Sequence, residues 1–393
     1  MIAFEEALDI VLNSAIALTE EQTELGSACG RVLSRDVFSD LDMPPFNKSA
    51  VDGFACRMQD AGYRMELSVI ETIPAGSVPA RAIQAGECSR IMTGGILPDG
   101  ADTVIMVEDT ELTSADTIKI LIGKTARNIC NQAEDIREGD KVLDKGTLIR
   151  PAHLAVLASV GNTMPWVARQ PQIGIISTGN ELVEPDRKPA AARIRNSNAW
   201  QLYAQAKTIP AGCSYFGIAG DTPEELEEKI STALLTSGIV ILTGGVSMGD
   251  FDYVPAAMER AGAIILFKSI AIQPGRPTVF ARRGDKFIFG LPGNPVSSFL
   301  QFELLVKPLL FRMMNCICNP LIVNLPMSER YMRRSVDRMA LIPVKITVDG
   351  TVLPVEYHGS AHISAYNETD GIIAMPVGVK IFEKGEIVSV RQI

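Results

Sequence analysis

From Gln172 to about Met314 short apolar runs alternate with helical patterns, and this alternation constrains the fold more than any other feature of the chain. Ile173-Gly174-Ile175-Ile176 reads as a buried strand ending in Ser177-Thr178-Gly179-Asn180-Glu181. Asn196-Ser197-Asn198 opens a helix over Ala199 to Lys207, and Ser214 to Ile218 is a strand ending at Gly220-Asp221. Thr222-Pro223-Glu224-Glu225 is a helix start, with Thr as cap, Pro first and Glu third; that helix runs to about Leu235. The next strand, Ile239 to Leu242, enters Thr243-Gly244-Gly245, then Ser247, Gly249, Asp250 and Asp252. A helix at 254–261, an extended segment at 263–272 and a turn at Pro274-Gly275 follow. Phe287-Ile288-Phe289 then ends in Leu291-Pro292-Gly293-Asn294-Pro295, from which a helix extends to about Met314.

This order predicts a doubly wound, mostly parallel sheet, whose ligands bind beyond the carboxyl ends of the strands. Those ends present Thr178, Asn180 and Glu181; Asp221; Thr243, Ser247 and Asp252; and Asn294. Paired glycines at Gly244-Gly245 let the backbone turn sharply and approach a ligand, although the same residues also suit a generic βα loop. Asp250 reads as a helix cap.

The flanks have a different character. Residues 4–18 place Phe4, Ala7, Leu8, Val11, Leu12, Ala15 and Ile16 on one helical stripe, and a helical run returns at Pro151 to Val160. Residues 45–140 are rich in Gly and Pro, with short strands such as Leu67–Ile70 and Val104–Val107, which predicts a small β-rich insert. Turn-rich segments at 42–55 and at Arg90-Ile91-Met92-Thr93-Gly94-Gly95 suit either turn chemistry or displayed polar groups. After Pro320, alternating runs at 341–348, 352–357 and 386–391 predict a C-terminal β domain.

Bulk properties exclude several function classes. A net charge of −9 leaves no basic stripe for sequence-independent nucleic-acid binding. No apolar run reaches the ~18 residues of a membrane span, and the first residues lack the pattern of a secretory leader, so a cytoplasmic protein is expected. Seven cysteines without a CxxC pair predict reduced thiols and no structural zinc. Only three histidines are present, and His153 in an apolar helical run reads as packed, so Ser-His-Asp catalysis is a poor fit.

The motifs in their order resemble the molybdopterin molybdenumtransferase family, the molybdenum insertases of molybdenum-cofactor synthesis. The resemblance covers essentially the whole chain. Its carriers are Pro44-Pro45-Phe46 with Ser49-Ala50-Val51-Asp52-Gly53, Thr93-Gly94-Gly95 with Gly100-Ala101-Asp102, and Glu134-Asp135-Ile136. Further along stand Ser177 to Leu182, Arg195-Asn196-Ser197-Asn198, Leu242 to Ser247 with Asp252, Pro274-Gly275-Arg276-Pro277, and Leu291 to Ser297.

The resemblance implies a multidomain α/β and β chain. Its parts are a discontinuous helical, dimerising domain (1–44 plus 139–171), an inserted β-rich domain (45–138), a molybdopterin-binding α/β domain (172–318) and a C-terminal β barrel (319–393). It implies a homodimer that uses Mg2+, adenylylated molybdopterin and molybdate and releases AMP. Its implied partners are the adenylyltransferase of the preceding step and molybdoenzyme apoproteins. Catalytic roles fall on Asp52, Thr93, Asp135, Glu181 and Asp252, and metal binding on Glu181, Asp221 and Asp252. Pterin contacts fall on Thr178, Asn180, Thr243, Gly244, Gly245, Ser247, Pro292, Asn294 and Pro295. Molybdate falls to Arg276, Arg338 and Ser360, with Ser364 a weaker candidate than Ser360.

The chain also departs from the family pattern. Gln273 stands where the family commonly has lysine, Lys268 is one residue out of register with a second lysine, and His362 replaces an apolar residue. One expected cation at the oxyanion is therefore absent, which keeps a tungstate-using insertase open. A molybdopterin adenylyltransferase is a further reading, against which residues 1–170 and 319–393 argue. A pterin-binding scaffold without turnover is the last.

Overall fold

The alternation from Gln172 onward folds, in a computed structural model, into a six-stranded sheet with helices on both faces. The structure describes residues 1–246, 253–357 and 359–393. In chain order the elements are β1 (Gln172–Thr178), α1 (Asn198–Lys207), β2 (Gly212–Ala219), α2 (Pro223–Thr236), β3 (Ile239–Thr243) and α3 (Val254–Arg260). They continue with β4 (Ile264–Phe267), β5 (Val279–Arg283), β6 (Lys286–Leu291), α4 (Pro295–Gln301) and α5 (Lys307–Met313). The spatial order is β2-β1-β3-β6-β5-β4. The first four strands are parallel, and the hairpin partners β5 and β4 add an antiparallel edge.

Side chains alternate across this sheet, as the period of two demands. Ile175, Ile241 and Phe289 face Ala199 and Leu202 of α1 and Val296 and Leu300 of α4. Ile176, Val240, Leu242 and Ile288 face Leu226 and Ile230 of α2 and Val254 and Met258 of α3. Both faces are covered, so every residue of β3 is buried. At about 1.5–3 kcal/mol for each large apolar side chain, the central strand is held far more firmly than its polar end. Thr222 caps α2 by accepting from the Glu225 N–H, with Pro223 in the first turn, as the sequence predicts.

Two expected elements differ in extent, and one strand was not expected. The segment read as extended over 263–272 is β4, a break, and a two-residue strand Ile272–Gln273. Strand β5 escaped the sequence reading because its apolar run is short and ends on two arginines; the turn at Gly284-Asp285 joins it to β6. The single helix expected from 295 to 314 is α4, a wide π turn over Phe302–Val306, and α5. Pro308, which has no N–H to return to Leu304, follows that turn.

The chain divides into two compact units. One comprises Met1–Arg35, Lys145–Arg150 and Met164–Ile393; the other comprises Asp36–Asp144 and Pro151–Thr163. In the first, the N-terminal helix Phe4–Ser14 buries Ala7 and Val11 against α5. Beyond α5 come β7 (Ile322–Pro326), β8 (Met339–Ile346), β9 (Val352–Pro354), β10 (Gly371–Met375) and β11 (Ile387–Gln392). Ile272–Gln273 pairs in parallel with β8, and β8-β10-β11-β7 follow as antiparallel neighbours, with β9 also on β8. Ser328 N–H donates to Val352 O at 2.8 Å, which links the end of β7 to β9.

The second unit carries a six-stranded sheet in the order Thr103–Met106, Gly53–Cys56, Glu87–Ile91, Glu66–Ile73, Thr117–Ile120, Thr110–Ser114. The run expected at 104–107 stops at Met106, where Val107–Asp109 tightens into a 3-10 turn. The helix Pro151–Ser159 belongs to this unit. Among the described residues no helix is long and apolar enough to cross a membrane.

Gly53 lies between two strands, and a Cβ there would sit 2.0 Å from the Ile105 carbonyl oxygen. Gly53→Ala is expected to cost at least about 3 kcal/mol, read as a lowered denaturant midpoint for the second unit by tryptic protection of its sheet. A midpoint within error of the unaltered protein would contradict the close approach.

Candidate functional site

Three adjacent parallel strands, β1, β3 and β6, end together, and their polar termini interlock. The Thr243 hydroxyl donates to Pro292 O at 3.3 Å, and Gly244 N–H donates to Leu291 O at 3.0 Å. The Thr178 hydroxyl reaches Thr243 O at 3.4 Å. Gly244 has φ +102°, and a Cβ there would meet Thr178 O at 2.5 Å and its Oγ1 at 2.7 Å. Only glycine allows this approach. Thr178 and Thr243 are each 2% exposed, whereas Asn180, Glu181, Gly293 and Asn294 are exposed at the rim. Gly245, Asp221 and Pro295 are half-buried, and Pro292 is buried. Ser247, Asp250 and Asp252 lie outside the described residues.

Asn198, the first residue of α1, ties these loops together. Its buried amide Nδ2 donates to Thr243 Oγ1 at 2.9 Å and to Gly293 O at 2.8 Å. Asn196 makes a second link: its Oδ1 accepts from Ser177 Oγ at 3.0 Å and its Nδ2 donates to Tyr215 OH at 2.8 Å. That hydroxyl in turn donates to Glu184 Oε1 at 2.8 Å. Burial and the neighbouring Glu184 carboxylate push the Tyr215 pKa well up, so the phenol stays a donor. Asn196 and Asn198 read as a helix opening in the sequence; their ties to positions 177, 215, 243 and 293 come from long-range packing.

Glu181 and Asp221 place two carboxylates at this edge, and Asn180 N–H donates to Asp221 Oδ2 at 2.9 Å. Among the described residues no three His, Cys, Asp or Glu side chains form a metal cluster. Mg2+ is usually held by one or two carboxylates with waters and substrate phosphates, so this donor set fits that ion.

The residues expected at the oxyanion lie in the same unit. Arg276 is exposed in the turn after Gln273, and Arg338 Nη1 is 3.5 Å from Ile272 O. Ser360 O accepts from Val296 N–H at 3.1 Å, beside Asn294 and Pro295. Lys268 pairs with Glu259 at 3.4 Å. No hydrogen bond joins the side chains of Arg276, Arg338 and Ser360 to one another among the described residues.

In the second unit Asp52 Oδ1 accepts from Thr93 N–H at 2.7 Å and from Thr93 Oγ1 at 2.8 Å. Those two donors, the amide first, hold the Asp52 carboxyl below its ordinary pKa. Asp135 is exposed on a neighbouring loop whose backbone is tied to Met43 O at 3.1 Å, with no hydrogen bond to Asp52 or Thr93 among the described residues. Buried thiols do not compete as nucleophiles: burial pushes Cys56 and Cys88 up to about 12.

Asn198→Leu removes both donations, so Gly293 O loses this partner and Thr243 Oγ1 keeps only its bond to Pro292 O. A loss of about 1–3 kcal/mol is expected, together with faster hydrogen exchange at the amide of Gly244. Unchanged exchange there would show that the loops hold without Asn198.

Comparison with known proteins places the chain. The sequence family described as MoeA N-terminal region (domain I and II) matches residues 2–161. The probable molybdopterin binding domain matches 174–312, and the MoeA C-terminal region (domain IV) matches 327–393. The molybdopterin molybdenumtransferase of Staphylococcus epidermidis is 36% identical, over 99% of this chain and 95% of that protein. That of Staphylococcus aureus is 33% identical over the same shares. A solved molybdopterin biosynthesis moeA protein from Pyrococcus horikoshii, 29% identical, superposes with a TM-score of 0.86 over 100% of both chains. A multidomain α/β and β chain with this match along its length belongs to the molybdopterin molybdenumtransferase (MoeA) family, the transferases of molybdenum-cofactor biosynthesis.

Proposed function

We propose that this protein inserts molybdate into adenylylated molybdopterin with Mg2+-dependent release of AMP. The observation that carries the reading is the interlocked, glycine-turned edge of β1, β3 and β6, lying within the matched molybdopterin-binding domain. Thr178 and Thr243, with both hydroxyls turned onto backbone oxygens, shape the floor. The exposed Asn180 and Asn294 and the half-buried Gly245 face the pterin phosphate, with Pro292 and Pro295 bracketing Asn294. Ser247 joins them from the sequence alone.

Mg2+, when bound, neutralises phosphate charge and would be held by Glu181, Asp221 and Asp252. Orientation of the phosphates by fixed donors is the main contribution a protein makes to breaking such a bond. Arg276, Arg334 and Arg338 carry no ion pair among the described residues, leaving positive groups for a dianion in a chain of net charge −9. Ser360 supplies a hydroxyl beside them.

Asp52, Thr93 and Asp135 are assigned to the same reaction as a preset acidic turn, in a homodimer in which one subunit's insert completes its partner's site. The four-part division at 1–44 plus 139–171, 45–138, 172–318 and 319–393 is consistent with family matches that break between 161 and 174 and between 312 and 327. The link from Ser328 to Val352 supports reading the last part as a closed barrel.

The test is AMP release from adenylylated molybdopterin with Mg2+ and molybdate, run beside tungstate. Release is expected with molybdate, and Asp252→Asn is expected to lower it about a hundredfold without unfolding the dimer. No release above a protein-free control would remove the insertase reading. Release with tungstate alone would reassign the oxyanion, and full activity in the variant would remove Asp252 from the metal site.

A further inference from the structure

A cavity of about 540 Å3 opens beside the turn that carries Arg276. Gln273, Tyr331, Arg333, Arg334, Tyr357 and Gly359 help to line it, and none of its described lining residues is acidic. The Tyr357 hydroxyl is buried without a hydrogen-bond partner among the described residues. Such a wall accepts an anion and repels cations.

Arg333 is the unusual member. It is 7% exposed, and among the described residues its guanidinium donates only to backbone carbonyls: Nε to Val379 O at 2.6 Å, Nη1 to Arg338 O at 2.6 Å and Nη2 to Pro376 O at 2.5 Å. The fork fixes three chain segments at once, which a lysine cannot do. No carboxylate pairs with it among the described residues; Asp337, exposed nearby, bonds Ser335 Oγ at 3.1 Å. A buried charge is normally paired, because desolvating it is costly. Here the hydrogen bonds are satisfied by carbonyls, and no ion pair neutralises the charge among the described residues.

The fork also sets the geometry of the other cations. Holding Arg338 O fixes the start of β8, where Met339 N–H donates to Ala271 O at 3.0 Å and Ala340 is in register with Gln273. That pairing delivers the turn bearing Arg276, while Arg338 Nη1 lies near Ile272 O.

We propose that Arg333 is a positioning residue for the oxyanion: it fixes the backbone of Arg338 and contributes unneutralised positive charge to the cavity wall that receives a tetrahedral dianion. The proposal rests on the reading of the site as an oxyanion-using insertase. It goes beyond that reading by giving a role to a residue whose guanidinium is turned onto backbone carbonyls.

Sodium molybdate binding to the full-length protein by titration calorimetry, beside steady-state AMP release, tests it. Arg333→Lys keeps the charge and loses the fork; molybdate affinity and the KM for molybdate should each worsen about tenfold. The KM for adenylylated molybdopterin should stay within about twofold, because its site is held by other loops. Asp337→Asn removes the nearest opposing charge at an exposed position and should tighten molybdate about two- to threefold at low salt, an effect that high salt abolishes.

A lysine variant with a lowered Tm but unchanged molybdate affinity would overturn the proposal, since a purely structural arginine would behave that way. Should that variant not fold, unaltered molybdate affinity in Asp337→Asn would overturn it instead. The unaltered protein failing to bind molybdate would also overturn it. Molybdate binding without AMP release would overturn the insertase reading, while the calorimetric comparison would still decide the role of Arg333.

Discussion

Contact between Gly244 and Thr178 is the constraint on which the site depends. Strands β1 and β3 are in register through their apolar cores, so their ends must meet at the same height. The chain leaving β3 must then pass so close to Thr178 O that no side chain fits at Gly244. Leu291 O at the end of β6 accepts from Gly244 N–H, Pro292 O just beyond it accepts from the Thr243 hydroxyl, and Asn198 closes the gap from the helix side. Three strand ends and one helix start are thus locked by a few hydrogen bonds over a buried apolar core. Groups at the rim are exposed but have little freedom, which is the preorganisation that positioning a phosphate requires.

A second arrangement handles charge. The chain is acidic overall, yet residues 331–338 bring three arginines and a single aspartate to the start of β8. Pairing of β8 with Ile272–Gln273 joins that basic segment to the turn at Arg276, in the same unit as the glycine-turned edge. Gln273, where the family resemblance implies a lysine, brings no positive charge to this neighbourhood. The buried fork of Arg333 keeps another there.

The sequence made visible whatever local pattern decides. Uniformly apolar β1, β3 and β6, the Thr222-Pro223 cap and the glycine pair at the end of β3 were all legible, because each follows from burial on both faces or from backbone sterics. Elements fixed by partners were not. Strand β5 is a strand because it pairs with β6, and β10, only five residues long, is held between β8 and β11. The helix from Pro295 widens at Phe302–Val306, where Glu303 is buried and paired with Lys307 at 2.8 Å, which periodicity does not report. Within the site, Thr178, Thr243 and Asn294 were legible as strand-end residues. That the two threonines turn inward while Asn294 stays exposed depends on packing. The roles of Asn198 and Arg333 rest on bonds to residues far along the chain.

The central claim is that the ligand sits on the carboxyl edge of the sheet, on loops locked through Gly244. A crystal structure of the protein with AMP and Mg2+ tests it most directly. The account predicts the phosphate against the rim formed by Asn180, Gly245 and Asn294, with the floor threonines unmoved. A phosphate bound at the opposite, amino edge of the sheet, or floor threonines turned outward to contact it, would contradict the account.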